Sequence, residues 1–190
     1  EKVVDKAGDA AEEVVERTSK VDDCLKDILD TSGNVSADKI SKLRRGIQKG
    51  DFSFDEIKEI SEKMSNLGIT EEFESEMKKI NFGEYLKNME GPPPEDMFNP
   101  HAHHIVFKNG NGAVQQELVK QGQAVLREYG IDPILAEEVL TWAPNGIPGQ
   151  HSVEPLREVV EGLVERAEFG VGKDDIDKFL QKMGRIASER

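Results

Sequence analysis

The sequence predicts an α+β protein, mostly α, in which a helical N-terminal region precedes a small strand-strand-helix domain with extra helices. Three observations lead to this fold class. Apolar residues recur at helical spacing along most of the chain. The stretch Gly91-Pro92-Pro93-Pro94 cannot continue a helix, and short β-rich segments closed by turn-forming residues follow it. We therefore expect a helical region over 1–90, a proline linker over 91–96 and a second domain over 97–190.

The N-terminal region is predicted to be a series of short amphipathic helices. A first apolar pattern runs from Val4 to Leu29 and is broken at Gly33. Residues that can cap a helix introduce the later ones. The predicted starts and core faces are, in order, Ser36 with Ile40, Leu43 and Ile47; Ser53 or Asp55 with Ile57, Ile60, Met64 and Leu67; and Thr70 with Phe73, Met77 and Ile80.

The second domain is predicted to contain two strands and three helices. The strands are short and end at runs of turn-forming residues, whereas the helices show apolar positions on one face. In chain order we expect a strand over His103–Phe107, a helix over 113–129 with Val114 and Leu118 on its core face, a strand over Val139–Ala143, a helix that begins at Ser152, and a helix over 174–188 capped by Asp174 or Asp175.

The composition narrows the classes of function. The 190 residues include 25 Lys and Arg against 38 Asp and Glu, which gives a formal net charge of −13. A protein that gains affinity by neutralising phosphates usually has a basic face, and the sequence shows no basic stripe. No apolar run reaches the roughly 18 residues of a membrane-spanning helix, so we expect no membrane span. Cys24 is the single cysteine, which excludes an internal disulfide.

The four histidines are the main chemical signal. His101, His103, His104 and His151 all lie between the proline stretch and the start of one predicted helix. A neutral imidazole can bind a metal ion, and histidine can also move a proton near neutral pH. Neighbouring side chains on a strand point to opposite faces unless a bend redirects them. A pair of histidines on a strand, followed by one at a helix start, fits a strand-strand-helix metal site.

Three sequence blocks carry a resemblance to a known family. Ala102-His103-His104-Ile105-Val106, then Trp142-Ala143-Pro144-Asn145, then Gly149-Gln150-His151 resemble the AHH nucleases of bacterial polymorphic toxins, a branch of the HNH/endonuclease VII superfamily. The resemblance covers about 97–190 and implies a ββα-metal (HNH-like) nuclease domain. It also implies a metal-dependent endonuclease toxin that is secreted from the producing bacterium, acts in the cytoplasm of a target cell, and is neutralised by a cognate immunity protein.

The resemblance also implies roles for three histidines. His103 and His151 would be ligands of a divalent metal ion, which could be Mg, Mn, Ni or Zn. His104 would be the general base that takes a proton from the water attacking the phosphodiester. DNA is the favoured substrate because most of the superfamily cuts DNA, and RNA is the alternative for the same site.

The chain departs from the family at a middle asparagine. In relatives that asparagine precedes the leucine of the second strand, a position that corresponds to Val139 before Leu140. Asn145 is available as an orienting residue, but its place in a turn is six residues from His151. Without the family asparagine, the loop would be braced less firmly. We then expect either reduced activity or another residue that compensates for the loss.

The remaining polar and aromatic residues have simpler readings. His101 and Lys108 are candidate substrate contacts, although residues in such loops are usually only solvated. Trp142 is expected in the core rather than as a platform for a base. The rival to a nuclease is a non-catalytic, acidic helical interaction module whose metal is structural or absent.

Overall fold

The structure, a computed structural model, describes residues 20–189. The predicted helical positions from Val4 to Val15 therefore lie outside the described residues. A helical stretch over 20–25 comes first and is followed by seven α-helices, one 3-10 helix and two strands. In chain order these are α1 (Ala37–Lys49), α2 (Phe54–Asn66), α3 (Thr70–Met77), α4 (Phe82–Glu90), β1 (Pro100–His104), α5 (Gly112–Glu128), the 3-10 helix (Glu137–Val139), β2 (Leu140–Pro144), α6 (Val153–Glu168) and α7 (Lys173–Ser188). The predicted class, α+β and mostly helical, is confirmed.

Side-chain caps fix the starts of the N-terminal helices. The Oγ of Ser36 accepts the backbone N–H of Lys39 before α1. Before α2, Ser53 and Glu56 form a reciprocal capping box, in which each side chain accepts the backbone N–H of the other. The predicted starts at Ser36 and Ser53 are thus confirmed. At the other end of the chain, α7 begins after Gly172 and not behind Asp174 or Asp175, so that cap prediction is wrong.

The apolar faces of the helices pack into one continuous core that also includes residues of the second domain. Burial of each large side chain stabilises the fold by about 1.5 to 3 kcal/mol. Two predicted core residues are exceptions. Leu67 is 46% exposed because it caps the C-terminus of α2, and Val114 is 54% exposed in the first turn of α5. Fully buried members of the core include Ile47, Ile57, Ile60, Met64, Phe73, Met77, Tyr85, Leu86, Leu126, Ile134, Leu135 and Leu156.

The two strands form a two-stranded antiparallel sheet whose register joins Pro100 to Pro144 and His104 to Leu140. Residues 105–139 connect the strands, and we call the pair the hairpin although this connection is long. The first strand therefore lies three residues earlier than predicted, and the second lies one residue later. The apolar segment 105–107, which suggested a strand, leaves the hairpin and turns into the core. Just beyond the paired strands, the backbone N–H of Ile105 donates to the carbonyl of Val139, the last residue of the 3-10 helix.

The hairpin is a middle layer, with α4 on one side and α7 on the other, and α5 packs against α6. Two hydrogen bonds join the N-terminal helices to the segment 132–136, which precedes the 3-10 helix. The Tyr85 hydroxyl donates to the carbonyl of Leu135 at 2.7 Å, and the Ser61 hydroxyl donates to the Asp132 carboxylate at 2.7 Å. The domain boundary expected at the proline linker over 91–96 stays a prediction. None of the helices described over 20–189 is long and apolar enough to cross a membrane.

We expect Tyr85→Phe to lower the free energy of unfolding by about 1 to 3 kcal/mol, because it leaves the buried carbonyl of Leu135 without this donor. Tyr129→Phe is the matched control. Its hydroxyl donates to the carbonyl of Val171 at 3.0 Å from a half-buried position, where water can replace it. Urea unfolding followed by circular dichroism measures both values, and equal losses in the two variants would contradict the prediction.

Candidate metal centre

Three imidazoles meet at one end of the hairpin. His101 and His103 are two positions apart on β1, so their side chains lie on the same face. His151, in the turn before α6, lies against both of them. The ring centroids are 5.5 Å apart for His101 and His103, 5.5 Å for His101 and His151, and 5.7 Å for His103 and His151. We name these three residues the imidazole cluster.

The turn that carries His151 joins β2 to α6. Gly146 and Gly149 have φ angles of 84° and 78°, in the left-handed region that glycine adopts without steric cost. Asn145 accepts the backbone N–H of Gly146 through its Oδ1 at 2.9 Å, and it donates its own backbone N–H to the carbonyl of Asn99 at 3.0 Å. The residue predicted to orient the site therefore shapes the turn.

Two buried glutamine side chains attach this turn to the rest of the protein. The Nε2 of Gln115, on α5, donates to the carbonyl of His151 at 2.9 Å. The Oε1 of the same side chain accepts the backbone N–H of Asn111 at 2.9 Å. The Nε2 of Gln150 donates to the carbonyl of Pro144, at the end of β2, at 2.6 Å. Gln115 and Gln150 are 8% and 6% exposed, so water does not easily replace these bonds.

His101 has the protonation pattern of a metal ligand. Its Nδ1 lies 3.0 Å from the carbonyl of Ala143, and because a carbonyl only accepts, this nitrogen carries the hydrogen. Burial, with a smaller contribution from His151, lowers the pKa of His101. The neutral ring therefore presents a lone pair on Nε2, and this atom is buried with no hydrogen-bond partner. Ligating histidines commonly donate their other N–H to a carbonyl in this way.

The cluster opens to solvent on one side. His103 is 7% exposed, His101 is half-buried, and His151 is exposed. The Phe107 ring lies 6.0 Å from the His103 ring and 5.7 Å from the His151 ring. Behind His103 is a cavity of about 20 Å³ that Met183 of α7 also lines. A small molecule or ion can therefore reach the cluster from the side of His151, while its inner side is closed.

The spacing of the rings is close to that of a shared cation, although the three side chains do not form a metal-binding group as they stand. Within residues 20–189, no group of three or more His, Cys, Asp or Glu side chains is arranged to hold a metal ion as it stands. Three imidazoles that bind one Zn²⁺ at about 2.0–2.1 Å place their ring centroids roughly 5 to 5.6 Å apart. The separations in the cluster, 5.5 to 5.7 Å, are close to that range.

His104 is not part of the cluster. It points to the other face of the hairpin, where its ring centroid lies 4.5 Å from that of Phe82 on α4. Its Nε2 donates to the carbonyl of Ile134 at 3.0 Å, and the side chain is 7% exposed. Burial lowers the pKa of His104 to about 4. The structure does not bring the predicted general base to the other histidines, because adjacent residues on a strand face opposite ways.

The other residues singled out in the sequence lie away from the cluster or play a packing role. Lys108 donates to the carbonyl of Lys78 at 3.1 Å, and its ammonium group lies 5.0 Å from the centroid of the Phe82 ring, on the side of His104. Val139 is fully buried. Trp142 is half-buried and donates its Nε1–H to the carbonyl of Gly91.

Sequence reasoning gave too little weight to His101 and missed two residues. The signal for His101 was present, since alternation on a strand pairs it with His103 and not with His104. Gln115 and Gln150 had no signal of their own, because their role depends on how α5 and the turn pack together. No protein-family model matches the chain, and no curated protein and no solved structure is found to match it.

The buried His104 is expected to make stability depend on pH. Its pKa is about 4 in the folded protein and about 6.5 in an unfolded chain, so the unfolded chain takes up the proton first as the pH falls. This contribution to stability is fully present above about pH 6.5 and is lost as the pH falls towards 4, by roughly 3 kcal/mol.

His104→Gln tests this pH dependence, because an amide can still donate to the carbonyl of Ile134 but does not titrate. Urea unfolding at pH values from 7 to 4, in the presence of a chelator, measures the difference between wild type and variant. We expect the variant to lose less stability over this range. An identical pH dependence in the two proteins would refute the assignment.

Proposed function

We propose that the chain is a metal-dependent endonuclease in which His101, His103 and His151 hold a divalent cation. The observation that carries this proposal is the buried Nε2 of His101, an acceptor with no partner, in a ring 5.5 Å from two other imidazoles. An acceptor buried without a donor calls for a cation or a water molecule. Three imidazole ligands suit Zn²⁺ or Ni²⁺ better than Mg²⁺, which prefers oxygen ligands.

The role that we propose for each histidine follows from how deeply its side chain is buried. His103 is the inner ligand, His101 is oriented by the carbonyl of Ala143, and the exposed His151 lies where a phosphodiester can approach. When bound, the cation would supply Lewis-acid stabilisation of the charge that develops on the phosphate. Sites with three protein ligands leave one position open for substrate or water. We give His104 a structural role, since it is buried on the opposite face of the hairpin.

The substrate and the biological setting are proposed from the resemblance to AHH nucleases. We propose nucleic acid, with DNA favoured over RNA, as the substrate, and a target bacterial cell as the place of action. A cognate immunity protein would then protect the producer. The net charge of −13 agrees with modest, salt-sensitive affinity for nucleic acid, so activity is best sought at low ionic strength.

A second candidate is a non-catalytic, acidic helical interaction module whose metal ion is structural or absent. Two observations favour such a module, in the form whose metal is absent as well as the form whose metal is structural: the overall negative charge, and the lack of a formed metal-binding group within residues 20–189. The two candidates differ in one measurable respect. A structural site binds the cation without cleaving DNA or RNA, whereas the nuclease cleaves at least one of them.

We expect His101→Ala, His103→Ala and His151→Ala each to weaken Zn²⁺ or Ni²⁺ binding at least about tenfold. Even the loss of a residue that only orients a metal ligand lowers metal affinity about 10- to 100-fold. His104→Gln serves as the control and should bind as the wild type does. Isothermal titration of chelator-treated protein measures the affinity, and circular dichroism checks the fold. His151→Ala is the most informative variant since this residue is exposed. Unchanged affinity in folded His151→Ala would exclude this ligand set.

The cleavage assay uses supercoiled plasmid and a structured RNA, each with Mg²⁺, Mn²⁺, Ni²⁺ or Zn²⁺. We expect nicking that EDTA abolishes, that His151→Ala reduces, and that His104→Gln retains. Loss of a general base typically lowers the rate about 10²- to 10⁴-fold. A loss of that size in folded His104→Gln would restore the general-base role, and absence of cleavage with every cation would favour the structural module.

A further inference from the structure

We infer that Gln115 and Gln150 are positioning residues that hold His151 against the other two imidazoles. This inference rests on the proposed function for its consequence in metal binding, although the placement itself can be measured without a metal. Both glutamine side chains form hydrogen bonds with backbone atoms. Each acts through the backbone of the 145–152 turn, and its loss should change where His151 lies and not the chemistry of the ring.

The argument for Gln115 is that both ends of its amide are used. One end donates to the carbonyl of His151, and the other accepts the backbone N–H of Asn111 immediately before α5. The side chain therefore links the start of α5 to the residue that carries the third imidazole. Gln115 is 8% exposed as a residue and its two bonds are part-buried, so leaving their polar groups unpaired is costly.

The turn needs such an anchor because its other hydrogen bonds are mostly local. The backbone N–H of Gln150 bonds to Ile147, and that of Ser152 bonds to Gly149, both within the turn. Ser152, the residue before α6, makes no side-chain cap hydrogen bond. His151 itself is exposed, so burial of its ring does not fix its place.

Gln150 provides the second anchor from the opposite side. Its Nε2 donates to the carbonyl of Pro144, and the preceding carbonyl, that of Ala143, accepts from His101. Two consecutive carbonyls at the end of β2 thus hold one cluster histidine and the neighbour of another. The Oε1 of Gln150 is buried without a hydrogen-bond partner, so the bond to Pro144 is the one that the amide forms in the structure.

The test compares Gln115→Met with Gln123→Met. Gln123 is the matched control because it lies on the same helix, is 5% exposed, and donates to the carbonyls of Phe107 and Lys108 rather than to the turn. Gln150→Met is the second variant and decides the question if Gln115→Met does not fold. The readouts are the affinity for Zn²⁺ alone and, in metal-free protein, the nuclear Overhauser effects between the ring protons of His151 and those of His101 and His103.

We expect Gln115→Met and Gln150→Met to weaken Zn²⁺ binding about 10- to 100-fold and to reduce the Overhauser effects from His151, while Gln123→Met leaves both unchanged. The inference is overturned if the glutamine variants keep both signals, or if Gln123→Met loses them equally. Wild-type protein that binds no metal would end the proposed function, but the Overhauser effects would still decide the positioning role.

Discussion

The alternation of side chains along β1 is the constraint on which the rest of the site depends. The hairpin is a single layer between α4 and α7, so each of its faces meets a different environment. His101 and His103 face the side on which His151 lies, whereas His104 faces Phe82 of α4. A slip of one residue in the register would exchange the two sets. The register of the hairpin therefore decides which imidazoles can act together.

His101 and His104 show how the same local interaction leads to different chemistry. Each donates one ring N–H to a backbone carbonyl, that of Ala143 for His101 and that of Ile134 for His104. Burial lowers the pKa of both, so both rings are neutral near pH 7. They differ in their surroundings. The His101 ring lies next to two other imidazoles, whereas the His104 ring packs against Phe82 in a T-shaped arrangement. The His101 ring, whose Nε2 has no hydrogen-bond partner, lies where other imidazoles could share a cation with it, whereas the His104 ring is enclosed in the core.

The parts of the fold that follow from local chemistry could be predicted from the sequence. The caps at Ser36 and Ser53 mark helix starts because their hydrogen bonds lie within three residues. The strand was misplaced because the apolar segment 105–107 has strand-like residues but is drawn into the core by tertiary packing. Within the site, the rings of His103 and His151 lie 5.7 Å apart, and their role as metal ligands stays a prediction. Gln115 could not be found, since its bond to the His151 backbone spans 36 residues and depends on the packed arrangement of α5.

The N-terminal helices do more than precede the site, because they cover one face of its hairpin. The segment 132–136 accepts hydrogen bonds from Tyr85 of α4 and from His104 of β1, and Asp132 within it accepts one from Ser61 of α2. The same segment therefore ties both regions to the strand that carries two cluster histidines. Without α4, His104 and its ring contact with Phe82 would lose their cover, and burying a hydrogen-bonded imidazole would no longer contribute to stability. The proline stretch marks a change of secondary structure, but the regions on either side of it share one buried core and hydrogen bonds, so we expect them to unfold together.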